Sequence, residues 1–210
     1  MPRLSIETLP RICAGRDAAE QSWKHHPFWL AVQNVLAFTL EQMTGDRRTE
    51  LEEQAQALRA EYEAIFPLLD RACAATCPWC PTPCCLVADA RFDMKDLLFI
   101  HLARVPAPLR QPRGDGHATC RYLGPSGCLL PRISRPWICT WYLCPMQKQW
   151  FFSYDKDGYR QLSRAIENIK KKRNKVELRY IRVSMIGGRI KKRPVLSHRA
   201  QGAIFDLSDD

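Results

Sequence analysis

The sequence predicts a mainly α chain with short β-hairpin segments, organised around a small cysteine-cluster domain of the metal-stabilised kind. Three observations carry that expectation. Apolar residues recur at helical spacing before Cys73 and after Cys144. Nine of the ten cysteines lie between Cys73 and Cys144, and ten of the fifteen prolines between Pro78 and Pro145. Apolar residues make up 46% of the 210, enough to build a core and too many for wholesale disorder. The expected layout is a helical hairpin region over 1–72, a cysteine core over 73–150, and an amphipathic helix with a basic arm over 151–210, all within one compact domain.

Pro27 suits the first turn of a helix, where its missing N–H is not needed. Phe28, Val32, Val35, Leu36 and Met43 follow at roughly helical spacing, and Gly45 comes after the end. Thr49-Glu50-Leu51-Glu52 has the form of a capping box opening a second helix, whose apolar face is Leu51, Leu58, Tyr62, Ile65 and Leu69. Pro67 is expected to kink or break it near Phe66. A short turn between the two predicts an antiparallel hairpin. Phe92 to Arg104 is expected to be helical, with Asp93 and Asp96 at its positive end. Gly124-Pro125-Ser126-Gly127 is a turn between two short strands, and Trp137 to Cys144 holds one or two helical turns after Pro136. Tyr159, Leu162, Ile166 and Ile169 mark an amphipathic helix. Val176 to Met185 continues it or forms a hairpin before Gly187-Gly188.

Charge is distributed unevenly. Glu41 to Asp70 holds eight acids and three bases, a net of −5, whereas Lys170 to Arg193 holds eleven bases and one acid, a net of +10. The first residues contain no unbroken apolar run of the secretory kind. The most apolar stretch, Pro27 to Leu40, is interrupted by Gln33 and Asn34 and is too short for a membrane span. A cytoplasmic, reducing compartment is therefore expected, with no membrane partner. There the cysteines are better explained as thiolate ligands than as disulfides.

The thiols run Cys73-Ala-Ala-Thr-Cys77-Pro-Trp-Cys80-Pro-Thr-Pro-Cys84-Cys85, then Cys120 and Cys128, then Arg135-Pro136-Trp-Ile-Cys139 and Cys144-Pro145. Two residues between thiols let both sulfurs reach one centre. Zinc takes four such ligands in a tetrahedron, and an iron–sulfur cluster takes four on a larger body. Nine cysteines fill two four-ligand sites with one left over. Proline follows Cys77, Cys80 and Cys144, where a zinc knuckle would place glycine after its second cysteine. Trp79, Trp137, Trp141 and Tyr142 are placed to shield a cluster from water. Both features tip the expectation slightly toward iron–sulfur over zinc.

This arrangement resembles the YkgJ-type cysteine-cluster family, described as a zinc- or iron-chelating domain with a CxxxCxxCC signature. The resemblance covers Cys73 to Pro145: the adjacent pair Cys84-Cys85, the Cys120 and Cys128 segment, Arg135-Pro136 ahead of Cys139, and Cys144. It implies a metal site drawn from Cys73, Cys77, Cys80, Cys84, Cys85, Cys120, Cys128, Cys139 and Cys144. One departure stands out. Pro81-Thr82-Pro83 puts three residues before the adjacent pair where the signature has two. Keeping the pair leaves Cys73 either a ligand or a buried helix-end cysteine. Keeping the Cys73, Cys77, Cys80 spacing instead puts Pro81 where the pair's second member belongs. Some relatives with this cluster resemble protein lysine methylases, which makes an iron–sulfur-dependent enzyme the first alternative.

The remaining residues name no reaction. No phosphate-binding glycine loop or serine-hydrolase elbow is present. His117 precedes Cys120 by three residues, but a polar loop residue is the simpler reading; His101 sits on an apolar helix and Cys13 lies far from the cluster. Arg135 is expected to hold a carboxylate or carbonyl, or to offset thiolate charge. Lys170, Lys171, Lys172 and Arg173, with Lys191, Lys192 and Arg193, form the second candidate site. They would serve a nucleic-acid or ribosome-associated module, or a protein partner, with Tyr180 available for stacking. The competing reading is a face that offsets the acidic segment. The leading expectation is a cysteine-rich metal-binding protein with a structural or redox role.

Overall fold

The computed structural model describes residues 26–43, 45–113, 119–125 and 127–186. The elements are α1 (His26–Gln42), α2 (Asp46–Thr76), a 3-10 turn (Cys77–Trp79), α3 (Cys84–Val87) and α4 (Met94–Leu102). There follow β1 (Leu123–Gly124), β2 (Gly127–Cys128), a second 3-10 turn (Arg132–Ser134), α5 (Ile138–Trp141), α6 (Pro145–Tyr154) and α7 (Lys156–Ile186). Among the described residues the chain is mainly helical with one small antiparallel hairpin, in which Leu123 pairs with Cys128 and Gly124 with Gly127.

The core is built around α4. Leu97, Leu98, Phe99, Ile100 and Leu102 are all buried, so most of this short helix is apolar and must be enclosed. The stripe Leu51, Ala55, Leu58, Tyr62, Ile65, Leu69 and Ala72 of α2 lies on one side of it. Leu162, Ile169, Val176, Tyr180 and Val183 of α7 cover another, and Trp29, Val32, Leu36 and Leu40 of α1 a third. The most extensive helix contact joins α2 to α7, and α6 packs against both.

Several expectations change. The hairpin partner of α2 is not α1, whose main helical contact is α4, but α7 from the far end of the chain. The second helix opens at Asp46 rather than Thr49. Gly45 is its N-cap, with φ of +65°, a conformation costly for any residue with a Cβ. Thr49 then sits in the first turn and directs its hydroxyl to the Gly45 carbonyl. The helix also runs unbroken through Pro67, because the contacts of Leu68, Leu69 and Ala72 beyond it outweigh one missing hydrogen bond. From Val176 onward α7 simply continues, so the helical alternative holds and the hairpin does not. Reciprocal capping boxes occur instead at Asp93 with Asp96 and at Cys144 with Gln147. Among the described residues no helix is long and apolar enough to cross a membrane.

Candidate metal centre

The nine cysteines from Cys73 to Cys144 are all free thiols, so none is committed to a disulfide. Eight of them fall into two neighbouring groups, each assembled from separate elements, with Cys80 at the end of the first 3-10 turn.

The first contains Cys84, Cys85, Cys120, Cys128 and Cys139. Cys84 and Cys85 open α3, and the Cys85 carbonyl accepts the Cys120 N–H at 2.9 Å, tying the pair to the hairpin. The hairpin delivers Cys128, and α5 delivers Cys139, whose N–H bonds the Pro136 carbonyl at 2.9 Å. These sulfurs lie within each other's electrostatic reach. Cys85 holds its proton and donates to Cys84. That bond, aided by backbone N–H donors and the Arg135 charge, outweighs burial and brings the Cys84 thiol down to about 6. The same bond, then burial and the charges of Cys84, Cys120 and Cys128, push Cys85 far up. Solvent reaches Cys139, yet protein encloses it on most sides. That desolvation, followed by Cys128, Cys120 and Cys84, pushes it up to about 12.

Arg135 is one cation of this group, and Arg113 acts on Cys120. The Arg135 Nε donates to the Leu130 carbonyl at 3.0 Å, and its charge favours thiolate at both Cys84 and Cys139. It thus takes two of its three expected roles, the carbonyl and the charge balance.

The second group gathers about Gln147 on α6. The Gln147 side-chain amide donates to Cys73 Sγ at 3.2 Å and lies 3.9 Å from Cys77 Sγ. Its backbone N–H donates to Cys144 Sγ at 3.5 Å, and its Oε1 accepts the Cys144 N–H at 3.2 Å. Arg132 lies 3.8 Å from Cys73 Sγ and pairs with Asp70. Burial, then the Cys73 charge, push Cys77 up to about 11, and a smaller effect from Cys84 links the two groups. Cys80 closes the 3-10 turn, its N–H 3.2 Å from the Cys77 carbonyl. Gln147 and Arg132 were not anticipated from sequence. The reciprocal cap at Gln147 was readable in principle, since a glutamine three residues past a chain-turning position is the capping-box spacing.

The donor set suits thiophilic metals: sulfur throughout, no disulfide, and positive charge from Arg135 and Arg132 to offset thiolates. Cys77, Cys85, Cys120 and Cys139 are pushed toward the protonated form, so metal binding there would have to release their protons. Among the described residues no three His, Cys, Asp or Glu side chains already surround one point closely enough to hold an ion. A resident metal would therefore draw the sulfurs inward. The expected aromatic shield is not realised at Trp79, which is 77% exposed, while Trp141 and Tyr142 also face solvent. Trp137 turns inward, edge-on to Tyr62 at 5.2 Å and beneath Arg173 at 5.3 Å.

The basic run is not a free arm over its described part. Arg173 is 2% exposed and its guanidinium bonds Tyr62, Asp96 and Asp93 at 2.8, 2.8 and 2.9 Å, so it cannot contact a phosphate. Burial opposes its charge, but Asp96 and Asp93 outweigh burial and keep it protonated. Lys172 pairs with Glu61 and Arg179 with Glu50, both on α2. Only Lys170 and Lys171 of the four-residue run point outward without a cross-helix partner, Lys170 lying 4.0 Å from Glu167. Tyr180 is fully buried and unavailable for stacking on a base. His117, Cys13, Lys191, Lys192 and Arg193 lie outside the described residues. His101 is mostly buried in α4, its Nε2 without a partner.

Compared with family models, with curated proteins and with solved structures, the chain has no match in any of the three.

Proposed function

We propose that the chain is a cysteine-thiolate metal protein, holding an iron–sulfur cluster or zinc in a structural or electron-transfer role, and that it is a divergent relative of the YkgJ-type cluster proteins. The observation that carries this reading is the meeting of Cys84, Cys85, Cys120, Cys128 and Cys139 beside Arg135. Three separate elements bring them together, and none is spent on a disulfide. Free thiols dispersed on a surface would need no such assembly. Cys84, already biased to thiolate, is the natural first ligand, with Cys85 bonded to it and Cys120 and Cys139 within reach of its charge. Bound metal would supply charge to neutralise the thiolates and would cross-link loops that bury little apolar surface of their own. Cys73, Cys77 and Cys144 form the adjoining set, available to complete the same centre or to hold a second one.

Anaerobic purification followed by metal and sulfide analysis tests this. Iron with acid-labile sulfide and a visible absorption that bleaches on reduction would identify a cluster; stoichiometric zinc in a colourless protein would identify the other centre. Cys84→Ser and Cys139→Ser should each lower metal content and thermal stability together. Well-folded protein carrying neither metal, and unaffected by both substitutions, would refute the proposal.

A further inference from the structure

The buried pair Asp96–Arg173 lies at the junction of four elements and ends at the cysteine site. Asp96 Oδ1 accepts from Arg173 at 2.8 Å and from the backbone N–H of Trp137 at 3.0 Å, and its other oxygen accepts the Asp93 N–H at 3.0 Å. Asp96 belongs to α4, Arg173 to α7 and Tyr62 to α2, while Trp137 is the N-cap of α5, two residues before Cys139.

Trp137 is central to the Cys139 turn. Its carbonyl accepts the N–H groups of Thr140 and Trp141, at 2.9 and 3.0 Å. Its ring is gripped by Arg173 above and Tyr62 at the edge. Pro136 fixes the backbone on the upstream side. Among the described residues, the carboxylate of Asp96 is a directional tether from the core to this backbone. A buried ion pair is weak support for stability, because apolar side chains of similar volume serve as well or better. What apolar side chains could not supply is an acceptor for the Trp137 N–H at a fixed position.

We infer that Asp96, locked in place by Arg173, is a positioning residue for Cys139: it sets the register of the turn that presents this thiol to Cys84, Cys120 and Cys128. The inference rests on the proposed function for its purpose, but its geometry can be tested without metal. Because Asp96 is buried and faces Arg173, Tyr62 and Asp93, it acts through Trp137 and would not itself touch a ligand.

Two double variants separate positioning from general support. Asp96→Leu with Arg173→Met removes the charges and the acceptor. Asp96→Asn with Arg173→Met removes the charges and keeps an acceptor oxygen. Backbone hydrogen–deuterium exchange on metal-free protein is the first readout. The leucine variant should exchange about tenfold faster at residues 138–142, the effect of one buried hydrogen bond lost. Residues 145–154 should be unchanged, and the asparagine variant should stay near wild type throughout. Metal content of protein purified without added chelator is the second readout; it should fall only in the leucine variant.

Equal exchange at 138–142 in the two variants, or acceleration spread over α2, α4 and α7, would overturn the inference. If the leucine variant does not fold, Asp96→Ala with Arg173→Met takes its place. It removes the same acceptor with a smaller side chain, so exchange should still quicken at 138–142 alone, and no change there would overturn the inference. Wild type without metal would refute the proposed function while leaving the exchange result to decide this one.

Discussion

Replacing Gln147 by methionine removes three polar contacts while preserving the length of the side chain. In the metal-free protein one of them matters most: Oε1 accepts the Cys144 N–H at 3.2 Å, and without it that donor has no protein acceptor at the start of α6. A lost cap of this kind costs about 1 kcal/mol. The other two contacts are N–H donations to sulfur, at 3.2 Å to Cys73 and 3.9 Å to Cys77. To neutral thiols these are worth little. To thiolates they become charge-assisted, roughly doubling in strength. If Cys73 and Cys77 are metal ligands, Gln147→Met should therefore cost about 1 kcal/mol in metal-free protein and about 1–2 kcal/mol more in the loaded form, which is roughly tenfold weaker metal binding. Urea unfolding of both forms, with direct titration of the metal, measures the two terms separately. Equal losses in the loaded and metal-free protein would refute the reasoning and remove Cys73 and Cys77 from the ligand set.

Two further outcomes follow from the helices. Pro67 is exposed inside α2 and leaves the Glu63 carbonyl without its helical donor, so Pro67→Ala should stabilise the protein by about 2 kcal/mol; this is the interior-proline cost of about 3 kcal/mol less about 1 for the freer unfolded chain. Calorimetry checks it, and a lowered melting temperature would mean that the proline shapes the helix end carrying Cys73. Burial lowers His101 from 6.5 to about 4, so the unfolded chain binds the extra proton between those values and stability must fall as the pH drops through that window. The loss should approach about 2–3 kcal/mol in metal-free protein. It should be absent in His101→Leu, as denaturant midpoints across the window would show.

The helices were legible because burial is periodic. Leu51, Leu58, Tyr62, Ile65 and Leu69 form one face by spacing alone, and the structure buries that face. Asp93 and Asp96 announced the start of α4 for the same local reason, an acid able to accept free N–H groups at a helix opening. Which helix packs on which is a different kind of information. The pairing of α2 with α7 joins residues 111 apart, as at Tyr62 and Arg173, and no local spacing encodes it. Pro67 misled because the cost of an interior proline is local, whereas the contacts that outweigh it come from other elements. At the candidate site, the adjacent pair, the hairpin and the Arg135-Pro136 step were readable from the residues. Arg132, and the sulfurs that Gln147 faces beyond its own cap, were not, because a single polar side chain carries no pattern until the fold shows what it meets.

The basic stretch shows how a composition signal can be resolved by periodicity already present in the sequence. Leu162, Ile166, Ile169, Val176, Tyr180 and Val183 advance by three or four residues, and the one gap in that stripe, between Ile169 and Val176, falls on Arg173. A cation on the buried face of a helix requires an acid from the core, and α4 supplies Asp96 as a buried carboxylate. Lys172 and Arg179, flanking the stripe, meet Glu61 and Glu50 on α2. The excess of −5 on one helix region and part of the +10 on the other are thus complementary halves of one contact. Phosphate binding would compete with these pairs, at an energetic cost set mainly by the buried one. Attraction to nucleic acid would fall to the outward lysines and to residues beyond Ile186. The charge that looked like a ligand surface is, over α7, partly committed to pairs with α2 and, through Arg173, to Asp96, which carries the core's hold on Cys139.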